Sequence, residues 1–213
     1  MLWIATFRWG SKYPGHYVER LRAGVERNLT QEYKFAVFAP LAQDEYLTKV
    51  PGCFCRLRMF DPAWQERHGI TIGDRIVSID LDTVITGPLD PLFDIDDPFA
   101  ILLNANSSNP CRYNGSVFSF LAGYRPDVWS DFSLKAASQI KYDSFPDDQA
   151  WLNHEIPDAK RWEVGPESGI FAYCKPHWPK GDALPKDARI VAFPGWRDPS
   201  KFTHLSWVKE NWR

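Results

Sequence analysis

Apolar positions fall in short blocks along the chain, and each block has a period. Leu2 to Phe7 is apolar except for Thr6 and predicts a buried strand. Residues 8 to 15 carry Gly10, Pro14 and Gly15 and predict a loop. From His16 to Asn28 the apolar side chains return at Val18, Leu21 and Val25, which is helical spacing. Phe35 to Phe38 predicts a strand that stops before Pro40, and Phe54 to Met59 a third strand. Cys53 and Cys55 would share one side of that strand. Pro62 to Arg67 predicts a short helix opened by proline. Arg75 to Asp80 is unbroken enough to be a central strand buried on both faces. Further strands are predicted at Phe99 to Leu103, Ser116 to Phe120, Ile170 to Tyr173 and Arg189 to Phe193. Helices are predicted over Asp127 to Ile140, with Val128, Phe132 and Ala136 on one side, and from Pro146 to Asn153. No internal repeat, low-complexity tract or linker interrupts this pattern.

The early alternation of strand and helix implies an α/β fold whose central sheet is mostly parallel and flanked by helices. A length of 213 residues suits one such domain. In these sheets ligands gather outside the carboxyl ends of the strands. Composition narrows the function. With 44% hydrophobic residues the chain has enough for a substantial core, and a net charge of -2 without a basic stripe argues against nucleic acid as a partner. A nucleotide held through a metal stays open. Cys53, Cys55, Cys111 and Cys174 show no zinc spacing or disulfide framework and read as reduced thiols of a cytoplasmic protein. The opening MLWIATFRWG is too short for a signal peptide or a membrane span. Ten tryptophans could stack on sugars but also fill cores, so their number carries little weight for sugar binding.

The chemistry concentrates in "IVSIDLDTVITGPLDPLF", residues 76 to 93. Asp80 and Asp82 stand at a strand end and point the same way, with Leu81 opposite. Adjacent carboxylates repel unless a cation sits near them, and their oxygens suit a hard divalent ion such as Mn2+ or Mg2+. The alternative is a solvated strand end in which Asp82 opens a turn toward Thr83.

The flanking residues resemble glycosyltransferases of the GT-A fold, and most closely the glycogenin and galactosyltransferase-like family 8. "SIDLDTVITGPLDPLF" is similar to that family's core phrase, and "YNGSVFSF" (113 to 120) and "FPDDQAWLN" (145 to 153) resemble two later ones in the same order. The likeness spans nearly the whole chain. It implies one domain, with a nucleotide-binding part over about 1–105 and an acceptor-side part over about 106–213. It implies transfer of a hexose from a nucleotide-sugar, most often UDP-linked, with retention, to a glycan or glycolipid acceptor. By the same resemblance Thr6, Phe7 and Tyr13 hold the base. Asp80 and Leu81 meet the nucleotide, and Asp80 and Asp82 bind Mn2+ or Mg2+. Asn114 and Gly115 lie beside the donor sugar or diphosphate, and Asp147, Asp148 and Gln149 orient the sugar. Residue by residue, plainer readings exist: packing for Tyr13, a turn for Asn114–Gly115, and the N-terminal turn of a helix for Asp147–Asp148.

One stretch departs from the family. In "AFPGWRDPSKF" (192 to 202) Gly195 and Pro199 match the late motif, but Pro194 stands where its metal-binding His would be and Asp198 where its Lys would be. Arg197 or Lys201 are the neighbouring candidates for the diphosphate, and His204 for the metal. Two rival classes remain. A phosphatase of the haloacid-dehalogenase type would use Asp80 as nucleophile, though that motif usually opens the first strand. A catalytically inactive relative would bind sugar or a partner only. The tail "FTHLSWVKENWR" is basic and aromatic, so contact with a membrane face, closure over the site and core packing are all open.

Overall fold

A computed structural model describes residues 1–50, 52–104, 111–140 and 147–213. β1 (Leu2–Phe7) is buried along its whole length. α1 (Gly15–Asn28) starts directly after Pro14 and buries Tyr17, Leu21 and Val25, a stripe repeating every four residues. β2 (Tyr33–Phe38) returns to pair in parallel with β1. α2 (Pro62–Arg67) has a complete sequence-coded start: Asp61 accepts a hydrogen bond from the Ala63 N–H, and Pro62 occupies the first turn. β3 (Arg75–Ile79), β4 (Thr83–Ile85), α3 (Asp90–Phe93) and β5 (Phe99–Leu103) follow. β6 (Tyr113–Leu121), α4 (Asp127–Ser130), α5 (Leu134–Ser138) and α6 (Asp148–Glu155) come next. β7 (Lys160–Trp162), β8 (Ile170–Ala172), β9 (Ile190–Ala192) and α7 (Ser206–Asn211) complete the order.

The main sheet runs β2-β1-β3-β6-β5-β7, and a three-stranded sheet runs β4-β9-β8. Pairings β1–β2, β1–β3 and β5–β7 are parallel, whereas β6 is antiparallel to both neighbours. The sheet is buried on both faces. On β1, Leu2 and Ile4 face a core shared with α1, the small sheet and α7. Trp3, Ala5 and Phe7 face a second core with α2 and α6. This two-sided burial is why β1 and β3 read as continuous apolar runs.

Three expectations are corrected. Phe54–Met59 is not a strand but part of a 3₁₀ helix, Phe54–Phe60, entered through Cys53 at φ 57. Its apolar run is short enough to fit either state, and both arginines in it are drawn to carboxylates: Arg58 bridges Asp44 and Asp61, and Arg56 bridges two others. Cys53 and Cys55 therefore do not share a strand face; Cys55 is buried and Cys53 half-buried. The helix expected over 127–140 is broken into α4 and α5, because Ser133 adopts an extended backbone and its hydroxyl accepts from the Ala136 N–H to start a new helix. The tail does not present an apolar face to a membrane: Leu205, Trp207, Val208 and Trp212 are buried in the first core. No described helix is long and apolar enough to cross a membrane. Pro146, expected at the start of α6, and Phe145 lie outside the described residues.

Candidate active site

A cavity of about 440 Å³ opens at the carboxyl ends of β1 and β3. The loop after β1 supplies Trp9, Lys12 and Tyr13, and the turn after β3 supplies Asp80, Leu81 and Asp82. Asn114 to Ser116 on β6, the neighbour of β3, and Asp147 to Gln149 at the start of α6 supply more of the lining. Phe193, Pro194 and Gly195 close one side, and Gly52, Cys53 and Arg56 another.

The two acids of the strand end have different partners. Asp80 Oδ1 accepts from Arg56 Nη1 at 2.6 Å, and Asp82 Oδ2 accepts from the Tyr13 hydroxyl at 2.6 Å. Thr83 Oγ1 donates to the Asp80 carbonyl at 2.8 Å and closes the turn. Arg56 also pairs through Nε with Asp148, so one buried guanidinium joins the strand end to α6. Gly115 is glycine for a steric reason: a Cβ there would lie 2.0 Å from Arg56 Nη2. A bulge shapes this wall, since the pairing of β5 with β6 jumps from Ile101↔Phe118 to Leu102↔Asn114. On the other side of β6 the ladder with β3 continues past Ile79↔Val117, with the Ser116 carbonyl accepting from the Asp80 N–H at 2.9 Å, and the Gly115 N–H donates to Gln149 Oε1 at 3.0 Å. Gln149 Nε2 in turn donates to Asp147 Oδ2 at 2.7 Å, while Asp147 Oδ1 caps α6 by accepting from the Ala150 N–H.

The lining holds four carboxylates against two cations, Lys12 and Arg56, so its formal charge is -2. A phosphate-bearing ligand entering alone meets repulsion. Burial, together with the Asp80 charge, pushes the Asp82 carboxyl up to about 6. Burial also raises Asp147 and Asp148; Arg56 pulls the Asp148 carboxyl back down. Arg56 is disfavoured by burial, yet Asp148 and Asp80 outweigh that and hold it charged. Burial and the Asp82 charge raise the Tyr13 phenol, so it stays a neutral donor. The donor set fits a hard divalent ion: two carboxylates on a cavity with a surplus of negative charge match the way Mg2+ is held, by one or two carboxylates with the remaining positions left to phosphate oxygens and water. Among the described residues no group of three or more His, Cys, Asp or Glu is arranged for a metal, so protein ligands alone do not fill a coordination shell.

Of the residues singled out from sequence, Phe7, Tyr13, Asp80, Leu81, Asp82, Asn114, Gly115, Asp147, Asp148, Gln149 and Gly195 line the cavity. Four do not. Thr6 is buried on the other face of β1, its hydroxyl without a partner among the described residues. Arg197 and Lys201 gather round Trp196 instead, and His204 is exposed beside Phe202. Arg56, Trp9 and Lys12 were missed by the sequence reading. An arginine inside an otherwise apolar run was the available signal for Arg56, since such a charge needs a buried partner. As for the phosphatase reading, the Asp80 carboxylate is tied to a guanidinium, which weakens it as a nucleophile. Such a phosphatase also needs a lysine between its two acid clusters; of the two lysines there, Lys135 is exposed and does not line the cavity, and Lys141 lies outside the described residues.

No family model matches the sequence, and no curated protein matches it. Solved structures do. A glycosyltransferase involved in glycosylating the major capsid of PBCV-1 aligns over 96% of this chain and 98% of its own at 16% identity, with a TM-score of 0.61. The chain has the GT-A fold. An active-site variant of LgtC aligns over 97% of this chain and 95% of its own, with a TM-score of 0.60 at 14% identity. GlyE of Streptococcus pneumoniae aligns over 98% of this chain but 63% of its own, with a TM-score of 0.62 at 12% identity. LgtC has also been solved with donor and acceptor sugar analogues. At these identities the shared property is the GT-A architecture, and the chemistry has to be argued from the cavity.

Proposed function

We propose that the protein is a glycosyltransferase that moves a hexose from a nucleotide-sugar, UDP-linked in our reading, to a glycan or glycolipid acceptor with retention. The observation that carries the proposal is the convergence of four separate segments on one cavity of a GT-A fold: the β1 loop, the Asp80–Asp82 turn, Asn114–Gly115 and Asp147–Gln149. The whole chain acts as one catalytic domain, because its first part (1–105) and its later part (106–213) both line that cavity.

In this reading the base lies beside Phe7 and Tyr13, and the sugar lies between Asn114 and the start of α6. Asp147, Asp148 and Gln149 accept from or donate to sugar hydroxyls and fix the anomeric carbon toward the acceptor; such positioning supplies much of the rate enhancement when no covalent nucleophile is used. Lys12, at the cavity wall, offers its ammonium to the diphosphate. Asp80 and Asp82 would hold Mn2+ or Mg2+. Such an ion supplies positive charge where the leaving diphosphate develops negative charge. Arg56 sets the positions of Asp80 and Asp148.

The test is a donor panel of UDP- and GDP-sugars read by thermal shift, with and without Mn2+ or Mg2+. A cation-dependent shift with one nucleotide class is expected, and Asp82→Ala should abolish the cation-dependent part. No shift with any donor and metal, together with turnover of p-nitrophenyl phosphate, would replace the proposal with the phosphatase reading.

A further inference from the structure

The loop between β9 and α7 carries a feature that donor binding does not use. Among the described residues five large apolar side chains are exposed, and only one of them, Trp196, is bonded directly to a residue that lines the cavity. Trp196 is 68% exposed. Consecutive Cα atoms are about 3.8 Å apart, so the Trp196 backbone adjoins Gly195, a lining residue of the cavity. This exposure is built in. Tyr17 donates its hydroxyl to Asp198 Oδ1 at 2.7 Å, and the Ser200 N–H donates to the same oxygen at 2.9 Å, tying the loop to α1. Lys201 Nζ donates to the Trp196 carbonyl at 2.9 Å. Phe202 packs its ring 6.3 Å from the indole and is itself anchored on Tyr173 and Phe193. A large apolar ring held toward water one residue from the lining of a polar cavity is a binding feature.

Two cations surround it. The Arg197 guanidinium lies 5.1 Å and Lys201 Nζ 5.8 Å from the ring centre. Among the described residues neither forms an ion pair; Asp198 between them in sequence stays ionised, held by Tyr17, by Ser200 and by the Lys201 charge, so the three groups together leave a net charge of about +1. The rim is therefore positive and aromatic where the cavity floor is negative and polar.

We infer that Trp196 is the stacking platform for the acceptor, with Arg197 and Lys201 reading a negative charge on it, so that the acceptor is an anionic sugar. The C–H groups on one face of a pyranose ring meet the negative face of an indole, and a carboxylate or phosphate on that sugar reaches the guanidinium and ammonium beside it. The inference rests on the glycosyltransferase reading and deepens it to a class of acceptor.

The test titrates the full chain with three probes, methyl β-galactoside, a glucuronate-containing disaccharide and a hexose 6-phosphate, followed by saturation-transfer NMR. Binding of one or both charged probes at least tenfold tighter than the neutral one is expected, and which one binds separates a uronate from a phosphate acceptor. Trp196→Ala should weaken the charged probes at least tenfold and Trp196→Phe by less, with an unchanged melting temperature. The double change Arg197→Ala, Lys201→Ala should reduce the charged probes to the level of the neutral one. Absence of charged-probe binding to the wild type, or equal binding by wild type and Trp196→Ala, overturns the inference. The cation-dependent donor shift, measured on the same samples, reports separately on the glycosyltransferase reading: its loss in the wild type would remove that reading, whereas its presence with an indifferent Trp196 would remove only the platform.

Discussion

The two acidic walls of the cavity differ in how their charge is answered. On the α6 wall Asp148 is fully buried against a charged partner, Arg56. On the strand-end wall Asp82 accepts from the neutral hydroxyl of Tyr13 and feels the Lys12 charge, but among the described residues it forms no ion pair. A buried acid matched by a guanidinium holds the fold together, because removing either partner leaves a charge stranded away from water. An acid answered by a phenol keeps its negative charge in surplus, and burial then works against it, which is why its proton is held up to about 6. One wall is settled in structure, and the other is where the proposed reading puts a cation.

The largest break in this comparison comes from Arg56→Ala. It strands Asp148 and leaves Asp80 without its partner, and the expected loss is about 3–5 kcal/mol in urea denaturation. Arg56→Lys should restore little of it, since an ammonium lacks the planar fork that serves two carboxylates at once. Next comes a paired comparison. Asp148→Asn should lower the melting temperature, whereas Asp82→Asn should leave it equal or raised while removing the cation-dependent donor shift. If both changes destabilise alike, the two walls are not distinct.

The pH dependence sharpens the contrast. The Asp82 carboxyl in the folded chain binds its proton up to about 6, above its ordinary value of 3.8. Below about 4 it is protonated in both folded and unfolded chains and contributes nothing. As pH rises from 4 to 6 the unfolded chain releases the proton first, so this group lowers stability through that window. The melting-temperature difference between the wild type and Asp82→Asn should therefore be near zero below pH 4 and turn against the wild type above 6. Because a proton competes with a metal for the carboxylate, the cation-dependent donor shift should fade as pH falls below 6. Asp74 behaves in the opposite sense. Burial opposes its ionisation, but the Thr71 N–H, the Trp3 indole N–H and the N-terminal ammonium hold its carboxyl below the usual range. Its stabilisation is present above about 4 and is lost as pH falls through the lowered value. The smallest effect is Tyr13→Phe. Loss of its hydrogen bond to the carboxylate should move the Asp82 midpoint upward, with about 1 kcal/mol or less in stability.

Much of the scaffold is legible in the sequence, and the reasons are local. β1 and β3 show as apolar runs, and α2 announces itself through Asp61 and Pro62. The Asp80–Asp82 pair, Asn114–Gly115 and Asp147–Gln149 are legible as motifs, and all of them line the cavity. What failed depends on distant partners. Arg56 finds its carboxylates 24 and 92 positions away, and no local pattern reports that. The same pairings draw Phe54–Phe60 into a 3₁₀ helix where alternation suggested a strand. Arg197 and Lys201 were candidates for the diphosphate because they neighbour Asp198, which stands where the resemblance expects a Lys, but both side chains gather round Trp196 and neither lines the cavity.

The single rung between the Asp80 N–H and the Ser116 carbonyl has a wider meaning. It joins the turn that would face the pyrophosphate to the strand that would face the transferred sugar, inside the rigid ladder of β3 and β6. The spacing between those two subsites is thus gauged by backbone geometry, which side-chain evolution barely touches. On the proposed reading, a lineage built on this frame would change which sugar it carries, or what receives it, by redrawing loops, while the span from phosphorus to anomeric carbon would stay fixed like the jaws of a caliper.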